Sequence, residues 1–283
     1  MTETSPARDV QRPGATSDPY AQAAPASRLR FLYRLNPLAK LAGPLPAMVM
    51  LVFVRDAATP LAFLAMAYGL LLIGLRFTGR LALLLFVAVP LAVAVIGLGF
   101  SVWTDPSQVD QSPVIWQIGS WTLYAGALQV GFSTALRLAA ILALSLLAGL
   151  STTGPDLVRA MVQQLRIPYR IGYTALAALR FVPRFGHELE VIRQAHRVRG
   201  AHGGRGPFAA SARWAGYVVP LLAGAIRHAE RVALAMDARA FGAYADRTER
   251  HGVPWRARDT VFTVLLWMAS AALLWVLFPW GLS

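Results

Sequence analysis

Residues 81–100 read LALLLFVAVPLAVAVIGLGF, a stretch of 20 residues without a charge. About 20 apolar residues, rising 1.5 Å each, cross a hydrocarbon core of about 30 Å. Pro90 predicts a kink, which helix bundles tolerate where neighbouring helices satisfy the freed carbonyl group. The stretch therefore predicts a membrane-spanning helix.

Four further apolar runs predict additional spans. They lie at residues 41–54, 57–75, 128–150 and 261–282. The first is short and contains Pro44 and Pro46, and the third is interrupted by Arg137. The whole chain is 56% hydrophobic and 14% charged, whereas a water-soluble domain is about 25% charged. We expect an all-α, polytopic membrane protein with about five transmembrane helices.

The charges predict the orientation of the chain in the cell membrane. The formal net charge is +13, yet residues 81–136 contain no Lys or Arg and residues 159–258 are rich in Arg. Basic residues are retained on the cytoplasmic side, so a cytoplasmic N terminus places residues 76–80 and 151–259 inside and 101–127 outside. Arg55 is the one exception. Orientation in the lipid bilayer accounts for the excess of basic over acidic residues, so no nucleic-acid partner is needed to explain it.

Four segments follow from this topology. Residues 1–34 lack a hydrophobic core for a secretory signal and predict a disordered cytoplasmic tail. Residues 35–150 hold transmembrane helices 1–4, residues 151–259 form a cytoplasmic region, and residues 260–283 hold the last transmembrane helix.

Several kinds of chemistry are excluded or disfavoured. The chain has no Cys, and Lys40, its only Lys, is not part of a phosphate-binding P-loop. The five His residues show no ligand spacing, so we expect no metal site, no cofactor in this chain and no catalytic activity. Arg137 is the one intramembrane charge; it is costly there and should pair with a carbonyl group or a partner chain.

The cytoplasmic region has a helical pattern. Residues 151–156, STTGPD, predict a helix start, and that helix should end near Pro168. Two long runs follow, at 169–200 and 208–242, and both become more charged towards their ends. Long cytoplasmic helices are therefore expected between the fourth and the last span.

The two long runs end alike. The first ends Val198-Arg199-Gly200 and the second Ala238-Arg239-Ala240. An Arg at a helix C terminus interacts favourably with the helix dipole, which is a purely structural explanation. Alternatively, two exposed guanidinium groups bind carboxylates or carbonyls in two equivalent grooves of a partner.

These motifs resemble a known family. The stretch at 151–157, the sequence ALRFVP at 178–183 and the ends of both long runs are similar to the transmembrane T component of energy-coupling factor transporters, which includes the cobalt-transport permease Q proteins. The sequence LNPLAKL at 35–41 resembles the family's entry into its first span. The resemblance covers about residues 35–280.

The resemblance implies a role and a set of partners. In this family two ABC-type ATPase subunits bind ATP, a membrane-embedded S component binds the vitamin or metal ion, and the T component couples them. The family's two Ala-Arg-Gly motifs insert into the ATPases, which implies that Arg199 and Arg239 are the coupling residues. Val198 and Ala240 depart from the motif, whereas Gly200 and Ala238 match it.

A stand-alone permease or channel, with Arg137 lining a pathway, is the alternative interpretation. The sequence does not identify the substrate, because in this family the S component selects it: cobalt, nickel, biotin and other vitamins or their precursors all remain open.

Overall fold

The computed structural model describes residues 31–75, 78–104, 114–118, 121–200, 209–244, 248–249 and 251–277. Its helices are α1 (Pro37–Ala42), α2 (Leu45–Phe53), α3 (Ala58–Gly74), α4 (Gly79–Leu83), α5 (Val89–Trp103), α6 (Ala125–Gly149), α7 (Gly154–Gln164), α8 (Tyr169–Val198), α9 (Ala209–Asp237) and α10 (Ala257–Leu277). Predictions for the tail up to residue 30, for residues 105–113 of the predicted outer loop, and for the final residues 278–283 lie outside the described part.

Three helices are long and apolar enough to cross a membrane: Gly79–Trp103, Ala125–Gly149 and Ala257–Leu277. They correspond to the predicted spans at 81–100, 128–150 and 261–282. With the shorter apolar helices before them, they confirm the predicted class of polytopic helical membrane protein.

The first predicted span is broken. Residues 41–54 are divided between α1 and α2, which meet at Gly43 and Pro44. Pro44 has no N–H group with which to continue a helical ladder. The second predicted span is α3, which has 17 residues. Both segments are shorter than a typical span of about 20 residues, so the number of five spans stays a prediction.

Two local features differ from the sequence expectation. Phe31–Arg34, at the end of the predicted disordered tail, forms a short 3₁₀-helix whose Leu32 is fully buried. The predicted outer loop contains an antiparallel hairpin of β1 (Val114–Ile118) and β2 (Trp121–Tyr124). Branched and aromatic residues favour strands, and that signal was missed.

Pro90 perturbs its helix without ending it. The residues Leu84–Ala88, between α4 and α5, form one π-helical turn. A proline ring clashes with the carbonyl group four residues earlier, here that of Phe86, and a wider turn relieves such a clash. The helix therefore runs continuously from Gly79 to Trp103.

The apolar core lies between α3 and α6. Phe63 and Leu71 of α3 pack with Leu144 and Leu147 of α6, and all four side chains are fully buried. Many large apolar side chains on the outer faces of the spanning helices are exposed instead. An apolar core surrounded by an apolar outer surface is the arrangement that a lipid environment requires.

Helices α5 and α6 pack closely through small residues. A Cβ atom on Gly131 of α6 would lie 2.7 Å from the backbone nitrogen of Ser101 and closer still to the carbonyl oxygen of Gly97. Small residues allow two helix backbones in a membrane to approach in this way.

The variant Gly131→Ala should therefore be less stable, by about 1–3 kcal/mol, because its methyl group meets backbone that cannot rotate away. Thermal unfolding in detergent measures the effect. Gly99→Ala is the matched control, since no atom lies within 4 Å of its added Cβ. Equal unfolding midpoints for the two variants would contradict the close packing.

A buried polar cluster joins distant parts of the chain at the N-terminal end of α10. The carboxylate of Asp259 accepts hydrogen bonds from the backbone nitrogens of Asn36 and Arg256, each at 2.8 Å. Lys40, one residue before the first predicted span, donates to the carbonyl oxygen of Ser151 at 2.8 Å. Burial lowers the pKa of Lys40 to about 8, although the carboxylates of Asp156 and Asp259 favour its charged form. The cluster fixes the end of α6 and the start of α10 against α1.

Candidate coupling site

The two long helices α8 and α9 form an antiparallel hairpin, which we call the arm. His196 of α8 contacts Tyr217 of α9, with ring centroids 5.4 Å apart. Further along, Phe181 stacks on His228 at 4.2 Å. At the far end Tyr169 contacts Phe241, just beyond α9, at 5.7 Å. The predicted runs at 169–200 and 208–242 are thus confirmed as largely helical, and ring contacts join them at three places.

Arg199 caps one end of the arm. It follows the last helical residue of α8, and Gly200 after it has φ +67°. The Gly200 backbone nitrogen donates to the carbonyl oxygen of Arg197 at 3.1 Å. A glycine in the left-handed region is the common way to end a helix, because it carries no Cβ to clash.

Arg239 caps the other end with the same backbone geometry. Ala240 has φ +52°, and its nitrogen donates to the carbonyl oxygen of Asp237 at 2.9 Å. The nitrogen of Phe241 donates to the carbonyl oxygen of Met236 at 3.0 Å. This bond pair is a Schellman motif, in which Arg239 is the C-cap and Ala240 the left-handed residue. The third position of each motif is therefore the one that needs glycine.

The six predicted site residues form two exposed helix ends, not one cluster. Val198, Arg199, Gly200, Ala238, Arg239 and Ala240 are all exposed. Within the part of the chain that the structure describes, neither Arg199 nor Arg239 is paired with a carboxylate. Helix α8 has 30 residues, so the two helix ends that carry Arg199 and Arg239 lie about 45 Å apart along the arm.

Ala240 is strained, because a residue with a Cβ costs about 1–2 kcal/mol in the left-handed region. Ala240→Gly should stabilise the end of α9 by roughly 1 kcal/mol and raise the midpoint of thermal unfolding. Ala238→Gly, two residues earlier in helical conformation, should lower the midpoint instead, by a similar free energy. If Ala240→Gly lowers the midpoint as much as Ala238→Gly does, the strain is not present.

The Arg239 end is tied to the rest of the protein by polar contacts. Arg170 of α8 donates to the carbonyl oxygen of Gly242. The hydroxyl of Tyr169 donates to the carbonyl oxygen of Tyr244 at 2.6 Å. The hydroxyl of Tyr173 lies 2.9 Å from Glu249 Oε2. These bonds hold the segment that follows α9 against the start of α8.

The same segment continues onto α7 and α1. Gln163 accepts from the backbone nitrogen of Val253 at 2.7 Å, and Gln164 donates to the carbonyl oxygen of Val253 at 2.7 Å. Asn36 donates to that carbonyl as well, at 3.3 Å. These bonds join the residues that follow α9 to α7 and α1, and through Asn36 to the buried cluster at Asp259.

A basic cavity of about 880 Å³ adjoins Arg239, between the arm and described residues at 240–244, 248–249 and 251. Arg159, Arg180, Arg184 and Arg239 line it, with Glu249 as the one acid among its lining residues. Arg159 and Arg184 are partly neutralised, by Asp156 at 2.9 Å and Glu188 at 3.3 Å. The surface around Arg239 is thus positive and favours an acidic partner.

Arg137 lies within α6 and is partly buried. Its Nε is buried and has no hydrogen-bond partner among the described residues. The expected carbonyl partner is thus not found there, and pairing with a partner chain stays a prediction. Elsewhere in the described part of the chain, no three His, Asp or Glu side chains are placed to hold a metal ion.

Comparison with known proteins identifies the family. The model of the CbiQ family, described as cobalt transport protein, matches residues 29–250, which is most of the chain. The chain belongs to the CbiQ family. This membership confirms the predicted resemblance to the transmembrane component of energy-coupling factor transporters. Both arginine motifs lie within the matched residues.

Several curated relatives carry one name, energy-coupling factor transporter transmembrane protein EcfT. The Bacillus selenitireducens protein is 26% identical over 86% of this CbiQ-family chain and 91% of its own length. The Thermotoga maritima protein is 27% identical over 83% of this chain and 85% of its own length. The Bacillus subtilis protein is 29% identical over 58% of this chain and 64% of its own length, so that match spans less than two thirds of the relative.

The sequence predicted both caps but not the residues that hold the Arg239 end in place. Tyr173, Gln163 and Glu249 form contacts between positions 76 to 90 residues apart. A polar residue on a helical face is usually solvated, so nothing in the linear pattern marked these three. The basic cavity was missed for the same reason, because its arginines come from separate helices.

Proposed function

We propose that this protein is the transmembrane coupling subunit of an ATP-driven importer for a vitamin or a transition-metal ion. It is a non-catalytic subunit in the cell membrane, with a cytoplasmic N terminus. The observation that carries the proposal is the pair of exposed arginine caps at the two ends of one helical arm, neither of which is paired with a carboxylate among the residues that the structure describes. The names of the relatives support it, because they are transmembrane proteins of energy-coupling factor transporters.

The separation of the two caps suits two binding partners. At about 45 Å apart, Arg199 and Arg239 are too distant to enter one pocket, yet they share the same backbone geometry. In a dimer of ABC-type ATPases each subunit carries a copy of the same groove. Each cap of the arm would bind one of the two copies. A guanidinium presents several N–H donors in fixed geometry, so it fits a groove lined by carboxylates or carbonyl oxygens.

The unequal anchoring of the two ends supports a lever mechanism. ATP, bound by the partner subunits, closes the ATPase dimer and moves its grooves, and the arm follows. At the Arg239 end, motion passes through Glu249 and Val253 to α7 and α1. The arm and the membrane helices therefore move together, and this chain needs no nucleotide site of its own.

The apolar face of the arm is the proposed contact for the substrate-binding S component. Apolar side chains at least half exposed recur along α9, with one more on α8: Trp214, Val218, Val219, Leu222 and Ile226, and Val182. An exposed apolar row of this length marks an interface with a protein or a membrane. When the arm shifts, a subunit seated on this row would tilt and release its substrate inward.

A pull-down of the affinity-tagged full-length chain from its native membrane tests the proposal. A coupling subunit retains two ATPase subunits and a small membrane protein in a stable complex. The alternative, a stand-alone permease with Arg137 in its pathway, retains neither and transports without ATP. Recovery of the chain alone, with ATP-independent uptake in vesicles, would refute the proposed role.

A further inference from the structure

A second cavity, a groove of about 840 Å³, lies on the lateral face of the protein between α3, α10 and the 3₁₀-helix Phe31–Arg34. Its walls are formed largely by apolar side chains, including Met66 and Leu70 of α3. Phe31 and Phe262 belong to the lining, and their ring centroids are 6.0 Å apart. It shares no lining residue with the basic cavity beside Arg239.

The groove has a polar end and an apolar end. Its two charged lining residues, Arg34 and Arg258, belong to the same end, because Asn36 two residues after Arg34 binds Asp259 next to Arg258. From Arg258 the lining follows one face of α10 as far as Ala269. Eleven residues of helix are about 16 Å long, which is about half the thickness of the hydrocarbon core.

The two guanidinium groups are available to a ligand. Both side chains are exposed. The ion pairs in the described ranges of the chain join other residues, so neither Arg34 nor Arg258 is neutralised there. Arginine binds phosphate through paired N–H donors, and a basic end on an apolar groove between membrane helices matches an anionic phospholipid.

We propose that this groove is a binding site for one anionic phospholipid. The phosphate lies between Arg34 and Arg258, and an acyl chain lies along α10 towards Ala269. The bound lipid covers the junction between the 3₁₀-helix and the start of α10, beside the buried cluster at Asp259. This site does not depend on coupling to ATPases, so its failure would leave the proposed function unaffected.

Native mass spectrometry of the full-length chain in detergent tests the site, with phosphatidylglycerol and phosphatidylcholine of identical acyl chains in competition. The wild type should prefer phosphatidylglycerol by about 30-fold, because two arginines near the membrane surface each contribute roughly 1 kcal/mol. The Arg34→Gln, Arg258→Gln variant should lose this preference. Arg34→Lys, Arg258→Lys should keep most of it.

Two control variants match the test. Arg80→Gln, Arg256→Gln removes two exposed arginines that do not line the groove, and it should keep the preference. Ala269→Phe, which fills the apolar end, should weaken the binding of both lipids. Ala271→Phe, at an exposed alanine of α10 outside the lining, should not.

Three results would overturn the site. They are equal binding of the two lipids by the wild type, retention of the preference in the Arg34→Gln, Arg258→Gln variant, and an equal loss in the Arg80→Gln, Arg256→Gln control. Displacement of the lipid by water-soluble glycerol 3-phosphate would show a free-phosphate site and would also contradict the proposal.

Discussion

The double variant Arg199→Ala, Arg239→Ala is expected to abolish substrate uptake and to lose the ATPase subunits on purification. Both side chains are exposed helix caps without a carboxylate partner in the described part of the chain. Their removal therefore costs the folded chain little, no more than the dipole interaction of about 0.3–1 kcal/mol at each helix end. It removes, in contrast, both proposed anchors on the ATPases.

The matched control is Arg197→Ala, Arg231→Ala. These arginines are exposed on the same two helices, so the control removes the same charge while leaving both caps intact. It should retain the complex and most of the uptake. Single cap variants should keep one ATPase anchor and lose only part of the uptake. An intact complex with normal uptake in the double cap variant would contradict the coupling role.

Asp259→Ala is expected to have the largest effect on folding. The side chain of Asp259 is almost fully buried, and its two oxygens accept from the backbone nitrogens of Asn36 and Arg256. Its loss leaves two backbone donors unsatisfied and removes a negative charge that favours the charged form of buried Lys40. Each buried donor left unsatisfied typically costs about 1–3 kcal/mol, so we expect little folded protein after purification.

Asp259→Asn retains one acceptor oxygen and should lose less stability. Asp237→Ala removes an exposed acid from α9 and should be nearly neutral. The yield of monodisperse protein and the midpoint of thermal unfolding measure all three variants. If Asp259→Ala unfolds at the same temperature as Asp237→Ala, the cluster does not hold the fold together.

Local signals in the sequence predicted the arm well. Pro168 and Gly200 mark the limits of α8, because each disfavours continuation of a helix. The predicted run at 169–200 accordingly matches Tyr169–Val198. Thr153 and Pro155 marked the start of α7 in the same way, and the hydroxyl of Thr153 accepts from the backbone nitrogen of Asp156 at 3.3 Å.

Contacts between distant residues could not be predicted. Lys40 and Ser151 are 111 residues apart, and Asn36 and Asp259 are 223 apart. One sequence shows that Lys40 and Asp259 are charged residues beside apolar runs, but not that Lys40 binds Ser151 or that Asp259 binds Asn36. The break between α1 and α2 had a local signal, Pro44, whose consequence depends on how the helices around it pack.

The candidate site was predicted in part for the same reason. Helix-stop signals along the chain place Arg199 and Arg239 at helix ends, and the family resemblance implies their coupling role. Their placement at opposite ends of an antiparallel arm depends on ring contacts such as Phe181 with His228. The left-handed conformation of Ala240 was also unexpected, because alanine favours the helix interior.

Site-specific photo-crosslinking tests the central claim most directly. A photoreactive phenylalanine at Val198 or at Ala238, beside each cap, would be activated in native membranes, with exposed Leu98 on α5 as the control position. The coupling role predicts a crosslink to an ATPase subunit from positions 198 and 238 and none from position 98. The absence of ATPase crosslinks from both arm positions, with the chain folded and present in the membrane, would contradict it.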